Sequence, residues 1–144
     1  MSTVSKKYYL AGPMSGIPQF NYPKFHRITK ELRDAGFEIV SPAEQDTPEQ
    51  QKHAMESNDG DASVFVGKTG LTWGDTLAKD VKLIADIVDG VIVMDGWENS
   101  KGARLEVFTC NGCKKPVYVY TGDGTFRPMT ISEYTCAIGG FFNG

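Results

Sequence analysis

Gly90-Val91-Ile92-Val93-Met94-Asp95-Gly96-Trp97-Glu98-Asn99-Ser100-Lys101-Gly102 is the stretch on which the fold turns. Its first five residues are the strongest strand signal in the chain. They are apolar at every position instead of at alternate ones, which marks a strand buried on both faces, in the middle of a sheet. The eight residues that follow are polar and rich in turn formers. Upstream, Leu77, Val81, Ile84, Ala85 and Val88 fall on one helical stripe. Downstream, Ala103, Leu105, Phe108 and Thr109 continue as a helix ending near Asn111-Gly112, and Val117-Tyr118-Val119-Tyr120 gives a further strand.

The same alternation fills the N-terminal part. Tyr8-Tyr9-Leu10-Ala11 is a short apolar run stopped by Gly12-Pro13, and Gly12 to Pro18 reads as a loop. Tyr22, Phe25, Ile28, Leu32 and Ala35 recur at helical spacing, with Asn21 suited to the N-cap and Gly36 to the left-handed position beyond the last turn. Phe37-Glu38-Ile39-Val40, closed by Ser41-Pro42, is the next strand. A strand–helix–strand unit of this size implies parallel strands and a right-handed crossover. The prediction is an α/β fold, a flavodoxin- or Rossmann-like three-layer sandwich around four or five parallel strands. Ligands of such sheets bind outside the carboxyl ends of the strands. Here that edge is built by Gly12 to Ser15 and by Asp95 to Gly102.

From Ala43 to Thr72 the pattern weakens. Thr47 to Glu56 reads as a helix and Val64-Phe65-Val66 as a small strand or lid, so 43–72 is expected to be a variable insert or lid. Residues 121–144 are expected to form an irregular, Gly-rich tail with a short helix from Ser132 to Ala137.

A chain of 144 residues, 40% hydrophobic, fits a single domain spanning 1–144. The net charge of -3 argues against a nucleic acid polymer as partner. A small anion held by backbone donors stays compatible with it. No apolar run approaches the roughly 18 residues of a membrane helix, and Met1 to Lys7 lacks a signal-peptide core, so a cytoplasmic protein without a membrane partner is expected. Three cysteines make no disulfide framework. Cys110-x-x-Cys113 lacks a second ligand pair, so no metal and no cofactor are expected.

Several side chains stand where chemistry would occur. Ser100 suits an N-cap, and Gly102 lets a ligand approach the first backbone N–H groups of the helix, a setting that favours phosphate. Glu106 lies six residues on, about 9 Å along the axis at ~1.5 Å per residue. Its side chain tilts back toward the same pocket mouth. The alternative is a solvated glutamate paired with a neighbouring Lys or Arg. Asp80 sits in the helix feeding the central strand, with Asp86 and Asp89 as competitors. Two carboxylates at one site can divide their labour, one as nucleophile and the other as acid. The Tyr9 hydroxyl, near the end of the first strand, could orient a carboxylate or simply reach water. Trp73 and Trp97 flank the expected cleft and could stack a base or pack in the core. His26 and His53 are too far apart in the pattern for a nucleophile–histidine pair.

Tyr9-Leu10-Ala11-Gly12-Pro13-Met14-Ser15-Gly16 resembles the opening motif of the nucleoside 2-deoxyribosyltransferase superfamily. Trp97-Glu98-Asn99-Ser100-Lys101-Gly102-Ala103-Arg104-Leu105-Glu106 resembles its nucleophile motif. Within that superfamily the chain is most similar to the small, often phage-encoded members of the DUF4406 type. The resemblance runs from about Tyr8 to Tyr120. It implies a flavodoxin-like sheet, homodimers or larger assemblies, and cleavage of the N-glycosidic bond of a deoxynucleoside or its 5′-monophosphate. By that likeness Glu106 attacks C1′ of the sugar, Asp80 handles protonation of the leaving base, and Tyr9 holds the nucleophile. Ser100 matches the phosphate-binding serine of the monophosphate N-hydrolase branch, where transferases more often carry aspartate. The implied substrate-binding set is Gly12, Ser15, Trp97, Ser100 and Gly102, with a small nucleotide or nucleoside as partner. Two departures stand out. Pro13 and Ser15 occupy places where the hydrolases offer a serine directly after the first glycine and an arginine shortly after. Asp80 also lies about one residue further from the central strand than in those enzymes. A transferase that exchanges bases and a non-catalytic nucleotide-binding protein remain the other two readings.

Overall fold

The computed structural model describes residues 6–63, 70 and 72–139. Strand β1 (Lys7–Ala11) is followed by a short 3-10 turn (Pro18–Asn21), helix α1 (Tyr22–Asp34) and strand β2 (Glu38–Val40). Helices α2 (Pro42–Gln45), α3 (Pro48–Met55) and α4 (Trp73–Asp86) lead to strand β3 (Gly90–Val93). A second 3-10 turn (Trp97–Asn99), helix α5 (Lys101–Gly112), strands β4 (Val117–Gly122) and β5 (Thr125–Pro128) and helix α6 (Ile131–Ile138) complete the described chain.

The five strands form one sheet in the order β2-β1-β3-β4-β5. The first four are parallel, with Tyr9 opposite both Val40 and Val91 and Val93 opposite Val119. The expected sandwich is therefore present, with β3 central and fully buried along its length. The alternation of side chains along β1 divides the core in two. Tyr8 and Leu10 pack with Phe25, Ile28 and Leu32 of α1 on one face. Tyr9 and Ala11 pack with Ile84 of α4 and Ala103 and Val107 of α5 on the other.

Two expectations need correction. The four parallel strands are joined by a fifth, β5, which runs antiparallel to β4. The tail is accordingly not irregular within its described part. Asp123 and Gly124 both have positive φ, at 52° and 79°, and form the two-residue Asp-Gly turn that matches the twist of a hairpin. A side chain at Gly124 would also meet the Glu31 carbonyl oxygen at 2.7 Å. Asn21 does precede α1, but with φ of 63° and no side-chain capping bond. Its amide instead donates to the Pro13 carbonyl at 3.0 Å and so ties down the loop after β1. Gly36 has the expected left-handed φ, 102°, and α6 covers the helix expected at Ser132 to Ala137. The strand or lid expected at Val64-Phe65-Val66 lies outside the described residues. The described part of 43–72 is built into the domain: Ala43 and Ala54 are fully buried, and Ser57 and Gly60 accept backbone hydrogen bonds from Gln19 and Gly16. Among the described residues no helix is long and apolar enough to cross a membrane.

Candidate active site

The chain reverses after β1 and after β3 at the same end of the sheet, and the ladder extends one step further there through Met94 N–H donating to Ala11 O at 3.0 Å. Gly12 is buried under Met94, whose side chain a Cβ at position 12 would strike at 2.3 Å. Glycine at this position lets the two turns close against each other.

Helix α5 starts beyond the second turn. Ser100 caps it, its Oγ accepting from the Ala103 N–H at 3.2 Å. The N–H groups of Lys101 and Gly102 belong to the first turn and have no acceptor within the helix. The face that α5 turns inward carries Ala103, Glu106, Val107 and Cys110, all buried. Phe108 lies off that face and is 47% exposed. Glu106 thus occupies a core position of its helix, only 6% exposed. Asp80 does the same in the middle of α4, at 8% exposure and one turn ahead of the buried Ile84. Its competitors are accounted for elsewhere. Asp86 pairs with Lys82 at 2.9 Å on the outer face, and Asp89 accepts from the Lys7 backbone N–H at 2.8 Å.

Tyr9 joins the two acids from the sheet. Because β1 turns Tyr9 toward α4 and α5, its hydroxyl donates to Glu106 Oε2 at 2.6 Å in a fully buried bond. Asp80 stands close enough to Glu106 and Tyr9 for both to affect its titration. Burial raises the Glu106 carboxyl well above the ordinary range, and the charge of Asp80 raises it further. Asp80 is pushed up to about 6, chiefly by burial, against the lowering influence of the neighbouring Glu106 and Tyr9. Burial and the two carboxylates raise the Tyr9 phenol, so it stays a donor. Like charges in contact out of water do not both ionise readily, so the pair retains a proton.

Asp80 and Glu106 face one cavity of about 280 Å³, whose lining also includes Gly12, Ser15, Ser100 and Gly102. The structure therefore brings together seven of the eight residues singled out from the sequence, Tyr9 standing behind the acids. Trp97 is the exception. It follows the left-handed Gly96, is 6% exposed, and packs with the core cluster of Val93 and Ala103 instead of lining this cavity. Trp73 lines it instead, with Lys101 Nζ 5.1 Å from its ring centroid. Asn99, from the motif around Ser100, and Thr76, which carried no recognisable sequence signal, also line it. Among the described residues no group of three or more His, Cys, Asp or Glu is placed to hold a metal ion. Cys110 is buried and its thiol is pushed up to about 11, mainly by burial, while Cys113 is exposed. A buried thiol of that kind is a packing group.

A stability prediction arises here. Asp80 binds its proton more tightly in the folded protein than in the unfolded chain, so its favourable contribution is complete below pH ~4 and is lost as pH rises through about 6. Asp80→Asn is expected to be more stable than wild type at pH 8, by up to about 3 kcal/mol at ~1.4 kcal/mol per unit of displacement. The gain should shrink toward pH 4. Urea denaturation at the two pH values measures it, and a pH-independent difference would contradict the buried-acid picture.

A family model described as "Domain of unknown function (DUF4406)" matches residues 6–119, and the chain belongs to that family. No curated protein gives a significant match to the sequence.

Proposed function

We propose that this member of the DUF4406 family hydrolyses the N-glycosidic bond of a 2′-deoxynucleoside 5′-monophosphate, releasing the free base and deoxyribose 5-phosphate. The observation that carries the reading is the buried Tyr9–Glu106–Asp80 cluster, whose two acids line one cavity beside the N-terminus of α5. The likeness of the two loop motifs to the nucleoside 2-deoxyribosyltransferase superfamily supports it.

In the first step a Glu106 oxygen attacks C1′, the C1′–N bond breaks, and its electron pair leaves with the base, which takes the proton of Asp80. In the second, water attacks C1′, the ionised Asp80 takes the water proton, and the ester electrons return to Glu106. Tyr9 donates to the Glu106 carboxylate and so favours the ionised nucleophile. Contact between the two acids in the resting site places the single proton where either can hold it. Substrate binding commits it to Asp80. Deoxyribose and phosphate span the interval from Glu106 to the helix tip, where the N–H groups of Lys101 and Gly102 and the positive end of the helix dipole favour an anion.

Gly102 tests the phosphate end. A Cβ at this position would meet nothing within 4 Å. Gly102→Ala is therefore expected to fold with unchanged or slightly raised stability, while weakening monophosphate binding at least tenfold and nucleoside binding little. Equal losses for dNMP and nucleoside would remove the phosphate from the helix tip.

The test of the reaction itself is base release from a panel of dNMPs, followed chromatographically, with and without an added acceptor base. Ser100, in place of the aspartate common in transferases, favours water as acceptor. Formation of a new nucleotide in preference to deoxyribose 5-phosphate would instead establish the transferase reading. Ile87, just beyond the end of α4, and Phe108, at the outer face of α5, are apolar and about half exposed, and they favour the homodimer or larger assembly that the family likeness suggests.

A further inference from the structure

A second cavity adjoins the first across Asp80. It measures about 240 Å³ and shares Met14, Thr76 and Asp80 with the cavity that holds Glu106. Neither alone reaches the roughly 300 Å³ at which small-molecule sites begin, whereas the two together do. A deoxynucleotide whose C1′ lies at Glu106 and whose phosphate lies at the tip of α5 can direct its base away from the helix tip along the cavity wall that holds Asp80. That direction leads past Asp80, the group that hands the base its proton, and into this second space.

Asp46 stands in the far wall, beside Gln45, Gln50 and Lys79. It is fixed from two sides. The Tyr22 hydroxyl donates to Asp46 Oδ2, and Gln51 Nε2 donates to the Asp46 carbonyl at 2.7 Å. Tyr22 is 1% exposed, and its phenol is raised by burial and then by its bond to Asp46, so it remains a donor. Lys79 does not pair with Asp46, because its Nζ donates to the Gln45 carbonyl. Among the described residues no Lys, Arg or His stands in ion-pair range of Asp46. With Oδ2 occupied by a hydroxyl, the carboxylate still offers Oδ1, and it can only accept.

The geometry points to Asp46 as the residue that selects the base, favouring one with an exocyclic amino group over its keto counterpart. An amino N–H donates to the held carboxylate. A keto oxygen at the same place would set acceptor against acceptor and leave Oδ1 unpaired in a confined site, and sites built around one hydrogen bond discriminate strongly against partners that cannot make it. The inference rests on the sugar and phosphate placement proposed above, but it concerns binding and not turnover.

Calorimetry on Glu106→Gln with dCMP against dUMP, and with dAMP against dIMP, separates the two questions, since within each pair an amino group beside an unprotonated ring nitrogen is exchanged for a keto oxygen beside a ring N–H. Tenfold or tighter binding of the amino member is expected in at least one pair. The ratio should fall below threefold when Asp46→Asn is added, because an amide can turn either a donor or an acceptor to the base. Tyr22→Phe, which frees the carboxylate without removing it, should give an intermediate ratio and guards against a folding defect in the Asp46 variant. Equal affinities within both pairs, a ratio that survives Asp46→Asn, or no binding of any of the four would overturn the assignment. Failure of the hydrolase reading looks different: wild type releases no base while the amino preference persists.

Discussion

Glu106→Gln is expected to lower kcat for base release by on the order of 10⁴-fold or more, while nucleotide affinity stays within a few fold. The variant retains the shape of the side chain, and the amide oxygen can still accept from Tyr9, so the site should remain assembled. What disappears is the nucleophile. The fold should not suffer, because Glu106 sits 6% exposed at a core position of α5 and its charged form is costly there. A neutral isostere removes that cost, and the variant should melt at or above the temperature of wild type at pH 7 to 8. Wild type quenched during turnover should also carry a deoxyribose 5-phosphate ester on Glu106, detectable by peptide mass. Retention of a tenth or more of wild-type kcat would mean that water attacks directly and Glu106 only stabilises charge. A variant equally inactive but unable to bind nucleotide would point to a folding or binding role.

Much of this arrangement was legible from residue patterns, and the parts that were not have physical reasons. β1 and β3 are continuous apolar runs, and a strand buried on both faces leaves no other pattern. β5 was missed because Thr-Phe-Arg-Pro is neither long nor strongly apolar. Its best signal was the Asp123-Gly124 turn, which needs positive φ at two residues in succession, and that signal was submerged in a Gly-rich segment. Along α5 the helix buries Ala103, Glu106, Val107 and Cys110, while the apolar Phe108 is turned outward. A functional carboxylate at a core position breaks the hydrophobic period by which that face would be recognised. Glu106 was found through its spacing from Ser100 and through family likeness, with no help from amphipathicity. Trp97 and Trp73 are both expected at the cleft, yet only Trp73 lines it, while Trp97 follows the left-handed Gly96 and packs in the core, a backbone detail that neighbouring residues do not announce. Asp46 was out of reach altogether. Its standing depends on a hydroxyl from Tyr22, 24 residues earlier, and on a cavity that exists only once α2, α3 and α4 have packed.

Asp80→Asn should lose about 10²- to 10⁴-fold in kcat on ordinary deoxynucleotides, the range typical of removing one general acid or base. The size of the loss should depend on the leaving group. A normal base departs as an anion unless a proton reaches it, and Asp80 is the acid proposed to supply that proton. A base methylated at N7 of guanine already carries a positive charge and departs neutral. With N7-methyl-dGMP, the first step in Asp80→Asn should therefore approach the wild-type rate, leaving only a slower second step, in which the variant lacks the base that activates water. A rapid burst of released base followed by slow turnover is the expected signature. Wild type should show a complementary pH dependence on ordinary substrates. Its activity falls as pH rises past the point where the Asp80–Glu106 pair gives up its shared proton, because the acid is then empty, and Asp80 alone is displaced to about 6. Activation by the methylated base should flatten that alkaline limb. If Asp80→Asn loses equally on both substrates and shows no burst, then Asp80 does not protonate the base. Its burial against Glu106 would then serve only to set the charge of the nucleophile.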